Sequence, residues 1–247
     1  MDIAVRELIQ GVAEGLDPAI RFARVVGDPD DWQIDFLRSA DEFVVCLCSR
    51  QVGKSTATAC LAWDTLTRGK FVLLVAPSER QAKELFRKVI DFKNADRTAP
   101  TAIRSTLTEL ELANGGRLVC APSSSDTIRG YSVDSLILEE AAFQPDDLIT
   151  AVLPMRKADG RVIMISTPAG RSGLFYDLWT EGKVRKVYAR SIDITRLAEK
   201  VDFDRRHMPS AKFRQEHLCE FLGSGVPFFD PLAIEAAINN NAKALVL

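Results

Sequence analysis

The chain has 247 residues, a formal net charge of −2 and 47% hydrophobic residues. These values are ordinary for a globular protein and exclude a chain coated in basic charge, although a local nucleic-acid-binding patch stays open. No apolar run approaches the length of about 18 residues that a membrane-spanning helix needs. The five cysteines form no CxxC pair and the two histidines lack a partner at metal-binding spacing, so we expect buried free thiols and no zinc site.

The apolar pattern alternates between helical and strand periods along the chain. Helices are predicted at 3–13, 17–25, 32–39, 54–68, 79–92, 146–153, 173–182 and 209–222. Apolar strands are predicted at 43–48, 71–76, 135–140 and 161–167, an edge strand at 184–190, and a hairpin at 108–112 and 117–121 around Asn114-Gly115-Gly116. Apolar strands separated by helices indicate an α/β fold with a mostly parallel sheet flanked by helices.

The segment CSRQVGKS (48–55) lies between a predicted strand and a predicted helix, which is the context of a phosphate-binding loop. Backbone N–H groups and the helix N-terminus would hold the phosphates. Lys54 would reach the β- and γ-phosphates, and the Ser55 hydroxyl would ligate Mg²⁺. The first position is a cysteine, where such loops have glycine, and Arg50 and Gln51 replace the usual small residues.

Two acids end the apolar strand SLILEE (135–140). This is a Walker B arrangement, in which Glu139 would hold Mg²⁺ and Glu140 would polarise the attacking water. Glu139 is one methylene longer than the aspartate that many families have there. The alternative is a strand that ends in solvated acids, and the phosphate-binding loop earlier in the chain makes it less favoured.

Three further segments have a functional and a structural interpretation. Ser166-Thr167-Pro168 follows a buried strand and would sense the γ-phosphate, or form a plain strand-to-helix turn. Arg129 precedes the Walker B strand and would be an arginine finger or a solvated loop charge. Gln33 would read the adenine edge with its amide, or be a solvated helix glutamine. Taken alone, each pattern favours the structural interpretation.

The stretch 80–104 is rich in basic residues, but acids are interleaved with them. The basic residues are Arg80, Lys83, Arg87, Lys88, Lys93, Arg97 and Arg104. The mixture favours a solvated helix face over a DNA-binding surface.

Several short segments follow one another in an order that is typical of one family. They are WQ (32–33), SRQVGKST (49–56), IRG (128–130), SLILEEAAF (135–143), ISTPAG (165–170) and FRQEH (213–217). Together they resemble the ATPase domain of large terminase subunits, the DNA-packaging motors of tailed phages. The most specific part is the arginine-bearing loop, which in this family normally lacks the first glycine.

The resemblance implies a P-loop NTPase of the additional-strand (ASCE) type. Residues 1–171 would form the ATPase core with an N-terminal helical adenine-binding segment, and residues 172–247 a small lid subdomain. The strand that ends at Ser166 would lie between the Walker A and Walker B strands. ATP and Mg²⁺ are the implied cofactors.

The resemblance also implies roles for single residues. Catalysis would use Glu140 as base, Lys54, Arg50 at the γ-phosphate, and Arg129 as a finger from a neighbouring subunit. Ser55 and Glu139 would hold Mg²⁺. The nucleotide would contact Gln33, Ser49, Arg50, Gln51, Val52, Gly53, Lys54, Ser55, Thr56 and Thr167.

The implied partners are double-stranded DNA, a ring of copies of this chain (a pentamer) on the capsid portal, and the small terminase subunit, with no membrane. The implied location is the host cytoplasm, transiently at the procapsid portal. Large terminases usually continue into a nuclease domain, but the 17 residues after PFFD (227–230) contain one acid, Glu235. We therefore expect ATP hydrolysis without DNA cleavage.

Two other functions stay open at this stage. A helicase-type translocase would normally need a second core domain of similar size. A regulatory subunit would bind ATP without hydrolysing it, although the presence of Glu140 beside Glu139 argues against this.

Overall fold

The computed structural model describes residues 12, 15, 17–124, 128 and 130–223. The predicted helix 3–13, apart from residue 12, and the segment 227–230 lie outside the described residues. The helices within them are α1 (Pro18–Val26), α2 (Asp31–Arg38), α3 (Lys54–Thr67), α4 (Glu79–Ala95), α5 (Asp146–Val152), α6 (Leu174–Thr180), α7 (Ala198–His207) and α8 (Ser210–Leu218). The strands are β1 (Phe43–Cys48), β2 (Phe71–Ala76), β3 (Ala102–Ser105), β4 (Glu109–Leu112), β5 (Arg117–Pro122), β6 (Val133–Glu139), β7 (Arg156–Ser166) and β8 (Arg185–Ala189).

The strands form one sheet in the order β3-β4-β5-β2-β6-β7-β1-β8. The six strands from β5 to β8 in that order run parallel, and β3 and β4 are antiparallel at the other edge. Strand β7 lies between β6 and β1, so the prediction of an additional-strand P-loop fold is confirmed. This order brings the carboxyl ends of β6, β7 and β1 side by side.

The core lies on both faces of the sheet because side chains alternate along each strand. In β1, Val44 and Cys46 pack with α1 to α4, whereas Val45 and Leu47 pack on the opposite face, toward α5 and α6. All four are at most 1% exposed. Truncating Leu47 to alanine would cost roughly 2–5 kcal/mol. Because β1 lies between β7 and β8 and is covered on both faces of the sheet, its side chains have to be apolar.

Most predicted elements are confirmed, and the differences have physical causes. Strand β3 was not predicted because it is short and mostly exposed, without an apolar run. Helix α7 was not predicted because its sequence is highly charged and buries only Val201 and Asp204. The last helix, predicted over 209–222, ends at Leu218, where Cys219 adopts a left-handed conformation with φ 56°.

Strand β8 belongs to the segment 172–247 that was predicted as a lid. It pairs in parallel with β1 at the edge of the main sheet, from Val44↔Arg185 to Cys48↔Ala189. The segment after residue 171 is thus attached to the same sheet as the phosphate-binding loop. The division into core and lid stays a prediction.

A buried ion pair joins α1 to the end of α4. Arg21 Nη1 lies 2.5 Å from Asp96 Oδ2, and both side chains are buried. Asp96 also accepts hydrogen bonds from Trp63 Nε1 (3.0 Å) and from the backbone N–H and hydroxyl of Thr98 (2.9 and 2.7 Å). Burial alone would raise the pKa of Asp96, but the Thr98 and Trp63 hydrogen bonds and the charge of Arg21 together lower it below 3.8. A second buried carboxylate is close to the arginine, since Arg21 Nη2 lies 3.7 Å from Asp64 Oδ1.

The five cysteines are buried and free, as the sequence predicted. Burial raises the pKa of the Cys219 thiol to about 12 and also raises the pKa of Cys48, Cys60 and Cys120 well above its usual range. No helix in the described part of the chain is long and apolar enough to cross a membrane.

Candidate functional site

The phosphate-binding loop connects β1 to α3 at the carboxyl edge of the sheet. Gln51 and Gly53 have positive φ angles of 62° and 95°. The φ angle of Gly53 favours glycine, and a Cβ atom there would lie 2.7 Å from Gln33 Nε2, so the Gln33 side chain would have to move. The loop ends where α3 begins at Lys54, and the free N–H groups of this helix start face the loop region.

Lys54 forms an ion pair with the second acid of the Walker B strand. Its Nζ lies 2.8 Å from Glu140 Oε1, and the residue is only 6% exposed. Glu140 follows β6 directly and adopts a left-handed conformation, φ 51° and ψ 46°. For a residue other than glycine this costs about 1–3 kcal/mol, and such strain is concentrated at functional sites. The kink directs the Glu140 carboxylate toward the loop.

The first acid, Glu139, is buried against the start of α3. Its two carboxylate oxygens accept hydrogen bonds from Ser55 Oγ (2.8 Å) and Thr58 Oγ1 (3.1 Å). Burial raises the pKa of Glu139, the positive charge of Lys54 and the Ser55 hydrogen bond oppose this, and the charge of Glu140 adds to it. The sequence analysis missed Thr58, although its hydroxyl lies one helical turn after Ser55 on the same face of α3.

Two residues at the end of β7 hold the other oxygen of Glu140. Glu140 Oε2 accepts hydrogen bonds from Ser166 Oγ (3.3 Å), Thr167 N (3.2 Å) and Thr167 Oγ1 (3.3 Å). Ser166 Oγ in turn accepts a hydrogen bond from the backbone N–H of Ala142 (3.1 Å). The predicted base and the predicted γ-phosphate sensor are therefore in direct contact.

The first half of the loop is bonded to the segment from β8 to α8. The Ser49 N–H donates to the Ala189 carbonyl (2.7 Å), and its hydroxyl donates to the His217 carbonyl (2.9 Å) and accepts from Ser191 N (3.0 Å). Ser49 is completely buried. The two donors of Ser49 are both used inside the protein, where they fix the loop. The contact of Ser49 with the nucleotide stays a prediction.

His217 is held within the same segment. Its Nδ1 lies 2.7 Å from Ser191 Oγ and its Nε2 lies 3.1 Å from Asp204 Oδ2. Burial lowers the pKa of His217 below 6.5, although the charge of Asp204 opposes this. These contacts join α7 and α8 to the residues that hold Ser49.

Arg50 is anchored by a buried carboxylate that the sequence analysis did not assign. Its Nε lies 2.6 Å from Glu216 Oε2, and its backbone N–H donates to the Glu216 carbonyl (3.2 Å). The Arg50 side chain is 63% exposed, whereas that of Glu216 is 7% exposed and also pairs with Lys212 (2.5 Å). No spacing rule predicts this contact, because α8 and the loop are far apart along the chain.

Gln33 lies against the loop, but both ends of its amide are engaged. Its Oε1 accepts from Asp30 N (2.9 Å), and its Nε2 donates to the Val52 carbonyl (3.4 Å). Arg196 Nη2 reaches the same carbonyl at 3.0 Å and Asp30 Oδ2 at 2.6 Å. The role of Gln33 in adenine recognition stays a prediction. Arg129 lies outside the described residues.

A cavity of about 730 Å³ opens beside these residues, within the usual size of ligand pockets. Its lining contains Arg50, Gln51, Gly53, Lys54, Ser55, Glu140 and Thr167, all predicted from the sequence. Pro77, Arg80, Gln81, Lys88 and Phe143 also line it and were not predicted. Gln33, Ser49, Val52, Thr56 and Glu139 are near the cavity in the chain or in space, but they do not form its described lining.

Comparison with known proteins agrees with this geometry. Residues 45–230 match the family described as terminase large subunit, T4likevirus-type, N-terminal. The large terminase subunit of Thermus phage G20c is 26% identical to this chain over an alignment of 263 residues. The alignment covers 88% of this chain and 54% of that protein. The subunit of Thermus virus P23-45 gives the same values. The chain thus spans about half the length of the curated relatives it matches.

Two solved structures are similar to this fold. The ATPase domain of the Thermus phage P74-26 large terminase has a TM-score of 0.68 and 25% identity, over 83% of this chain and 99% of that one. The large terminase of bacteriophage HK97 has a TM-score of 0.66 and 18% identity, over 84% of this chain and 55% of that one. The second likeness shows the fold alone.

Proposed function

The chain belongs to the family of large terminase subunits, and from this membership we propose that it hydrolyses ATP with Mg²⁺ to drive double-stranded viral DNA into a procapsid. One observation carries the proposal. The ends of β1, β6 and β7 bring the pairs Lys54–Glu140 and Ser55–Glu139 together, each at 2.8 Å, beside a cavity of nucleotide size. These are the groups that phosphoryl transfer to water requires.

The loop and the start of α3 would bind the phosphates. Gly53 and the first residues of α3 present backbone N–H groups at a helix N-terminus, where anions are stabilised. Lys54 adds a positive charge from a buried position. When a phosphate approaches, Lys54 can exchange its contact with Glu140 for a contact with the phosphate oxygens.

Ser55 and Glu139 fit a Mg²⁺ ion. A hydroxyl and a carboxylate are the hard oxygen ligands that Mg²⁺ prefers, and Thr58 already orients the second carboxylate oxygen. Bound Mg²⁺ would neutralise charge on the β- and γ-phosphates. Burial raises the pKa of Glu139 and so disfavours the ionised form that binds a metal, although the charge of Lys54 and the Ser55 hydrogen bond oppose this. A bound cation would itself favour the ionised form.

Glu140 is suited to orient and polarise the attacking water. Its Oε2 is fixed by Ser166 and Thr167, whereas in the part of the chain that the structure describes its Oε1 accepts a hydrogen bond only from the exchangeable Lys54. Once Lys54 turns to the phosphates, Oε1 becomes free to accept a hydrogen bond from a water molecule. The carboxylate thus keeps its orientation while one oxygen changes its partner.

A chain of contacts leads from the base to the loop arginine. Thr167 contacts Glu140, the Pro168 carbonyl accepts from Gln215 Nε2 (2.9 Å), and the next residue, Glu216, holds Arg50. Loss of the γ-phosphate would change the surroundings of Glu140 and Arg50 together. This continuous series of contacts supports a link between ATP hydrolysis and movement of the segment that contains α8.

The proposal includes a ring of copies in which Arg129 of one subunit completes the site of its neighbour. The proposed partners also include the capsid portal and the small terminase subunit, within the host cytoplasm.

The first experiment measures ATP hydrolysis per subunit, with Mg²⁺, as the concentration of the chain is raised. We expect the specific rate to increase with concentration and Arg129→Ala to abolish the increase. A rate that is substantial but independent of concentration would contradict the role of Arg129 in a neighbouring site. Nucleotide binding without turnover at any concentration would contradict the proposed ATPase and favour a regulatory subunit.

DNA movement needs its own test. Encapsidation of double-stranded DNA by procapsids should depend on ATP and disappear with Glu140→Gln. Separation of DNA strands by this chain without procapsids would instead support a helicase-type translocase.

A further inference from the structure

Four of the basic residues of α4 fall into two sets that differ in their contacts. Lys83 pairs with Glu79 at 2.6 Å, and Arg87 pairs with Glu84 at 2.8 Å. These are ordinary intrahelical pairs between neighbouring turns. The second set, Arg80 and Lys88, lines the cavity of the phosphate-binding loop, although Arg80 is as much an exposed residue as Arg87. The two sets are therefore distinguished by their contacts and not by their burial.

The charges around the cavity are unevenly balanced. Two of the lining cations already have carboxylate partners, since Arg50 pairs with Glu216 and Lys54 pairs with Glu140. Within the described residues, neither Arg80 nor Lys88 forms an ion pair. These two cations therefore carry positive charge that an anion in the cavity can still offset.

The sheet order places Arg80 toward the terminal phosphate. Strand β2 neighbours β6 on the side away from β7 and β1, so its carboxyl end lies beyond Glu140 as seen from the loop. Pro77 follows β2 at that end and also lines the cavity, and Arg80 stands in the first turn of α4. Lys88 is about two turns further along the same helix, roughly 12 Å away. Arg80 is thus the nearer of the two to the carboxyl edge.

We infer that Arg80 and Lys88 are phosphate-binding residues that recognise the terminal phosphate of the nucleotide. This inference rests on the proposed function of the site. Arginine suits the task because its planar fork can donate two hydrogen bonds to one phosphate group. Lys88, more distant, supplies charge at the mouth of the cavity. Together they add a third wall to the site formed by the loop and the Walker B acids.

The test compares the affinities of a non-hydrolysable ATP analogue and of ADP, both with Mg²⁺. Arg80→Ala should weaken analogue binding by about 10- to 100-fold, the usual loss for a hydrogen bond to a charged group, and leave ADP binding within about twofold. Lys88→Ala should show the same selectivity with a smaller loss. Arg80→Lys should restore part of the affinity. Lys83→Ala and Arg87→Ala are the matched controls and should bind both nucleotides like the wild type.

Each other outcome has a definite meaning. Equal affinities for Arg80→Ala, Lys88→Ala and the two controls would overturn the inference while the proposed function stands. Equal losses for ADP and the analogue would overturn it as well, because the terminal phosphate would then not be recognised. Loss of double-stranded DNA binding with unchanged nucleotide affinity would assign the two residues to DNA instead. Failure of the wild type to bind either nucleotide would overturn the proposed function and this inference with it.

Discussion

Two ion pairs are similar in chemistry but differ in their surroundings. Arg21–Asp96 is buried between helices, and the Asp96 carboxylate also accepts from Trp63 and Thr98. Lys54–Glu140 is partly buried beside a cavity, and among the described residues Glu140 Oε1 accepts a hydrogen bond from Lys54 only. The Asp96 carboxylate is enclosed by protein groups. The second pair can be opened by a ligand.

The difference shows how a buried charge can be structural or functional. A buried pair is costly to desolvate, and it is tolerated when hydrogen bonds satisfy its remaining atoms. Asp96 meets that condition through helix contacts that do not change. Glu140 meets it on one oxygen only, and it does so in a strained backbone conformation. The incomplete pair is therefore the one expected to exchange partners.

The largest effect should come from changing the functional pair. Glu140→Gln keeps the size of the side chain but removes its negative charge, so we expect the hydrolysis rate to fall by about 10²- to 10⁴-fold. Analogue binding and the urea midpoint should stay close to the wild type, because the amide oxygen of glutamine can still accept a hydrogen bond from Lys54 in place of the carboxylate. Steady-state kinetics and urea unfolding on the same samples check this. Near-normal turnover would contradict the assignment of the base.

The structural pair should give the reverse result. Asp96→Ala removes the carboxylate 2.5 Å from Arg21 and leaves the arginine with Asp64 at 3.7 Å, so it should lower the free energy of unfolding by roughly 3 kcal/mol. The nucleotide affinity of the folded fraction should not change. Asp96→Asn is the matched variant, which keeps the size of the side chain and one of its two acceptor oxygens and should lose less. A change in nucleotide affinity without a change in stability would refute the contrast between the two pairs.

Ser49 lies between these two cases, because it is fully buried and yet belongs to the loop. Ser49→Ala removes the hydrogen bonds to the His217 carbonyl and from Ser191 N, and should cost about 1–3 kcal/mol of stability. A weaker nucleotide affinity should accompany it, since the loop would lose its anchor. The control is Ser191→Ala, which keeps the backbone donor to Ser49. An affinity loss in the control that equals that of Ser49→Ala would contradict the anchoring role.

The smallest effect concerns pH. Because burial lowers the pKa of His217 in the folded chain below 6.5, the unfolded chain binds this proton more tightly. The stability that neutral His217 contributes is fully present above pH 6.5 and is lost as the pH falls from 6.5 through the lowered pKa of the folded chain. The groups that face the ring are Ser191, Asp204, Lys200 and Glu216. Unfolding free energies measured from pH 7.5 to 5 should decline less for His217→Gln; equal slopes would contradict the prediction.

The sequence predicted those parts of the site that depend on local order. A strand, a loop with Gly-Lys-Ser and a helix must place Lys54 and Ser55 at a helix start, and apolar strands that end in acids must present Glu139 and Glu140 at the sheet edge. Parallel strands then bring the two sets together without further information. This is why most element bounds were predictable, whereas the additional-strand order was implied by the resemblance to large terminase ATPase domains.

The contacts that were not predicted join segments that are distant along the chain. Glu216 anchors Arg50, and Arg196 reaches the Val52 carbonyl, from helices and turns with no apolar periodicity that points to the loop. From the sequence, Ser49 was expected to contact the nucleotide, whereas in the structure its hydroxyl donates a hydrogen bond to the His217 carbonyl and so holds the loop. In α4, pattern analysis could not separate Arg80 from Lys83, because both stand among acids on a charged helix.

The burial of every thiol has a practical consequence for spectroscopy. All five cysteines are enclosed, and burial holds four of them in the unreactive protonated form near neutral pH. Maleimide dyes should therefore leave the native chain unmodified. A single cysteine introduced at the exposed position of Arg87 would then be the sole attachment point for a fluorophore. Movements of α4 during nucleotide turnover could be followed by fluorescence without first removing a native sulfur atom.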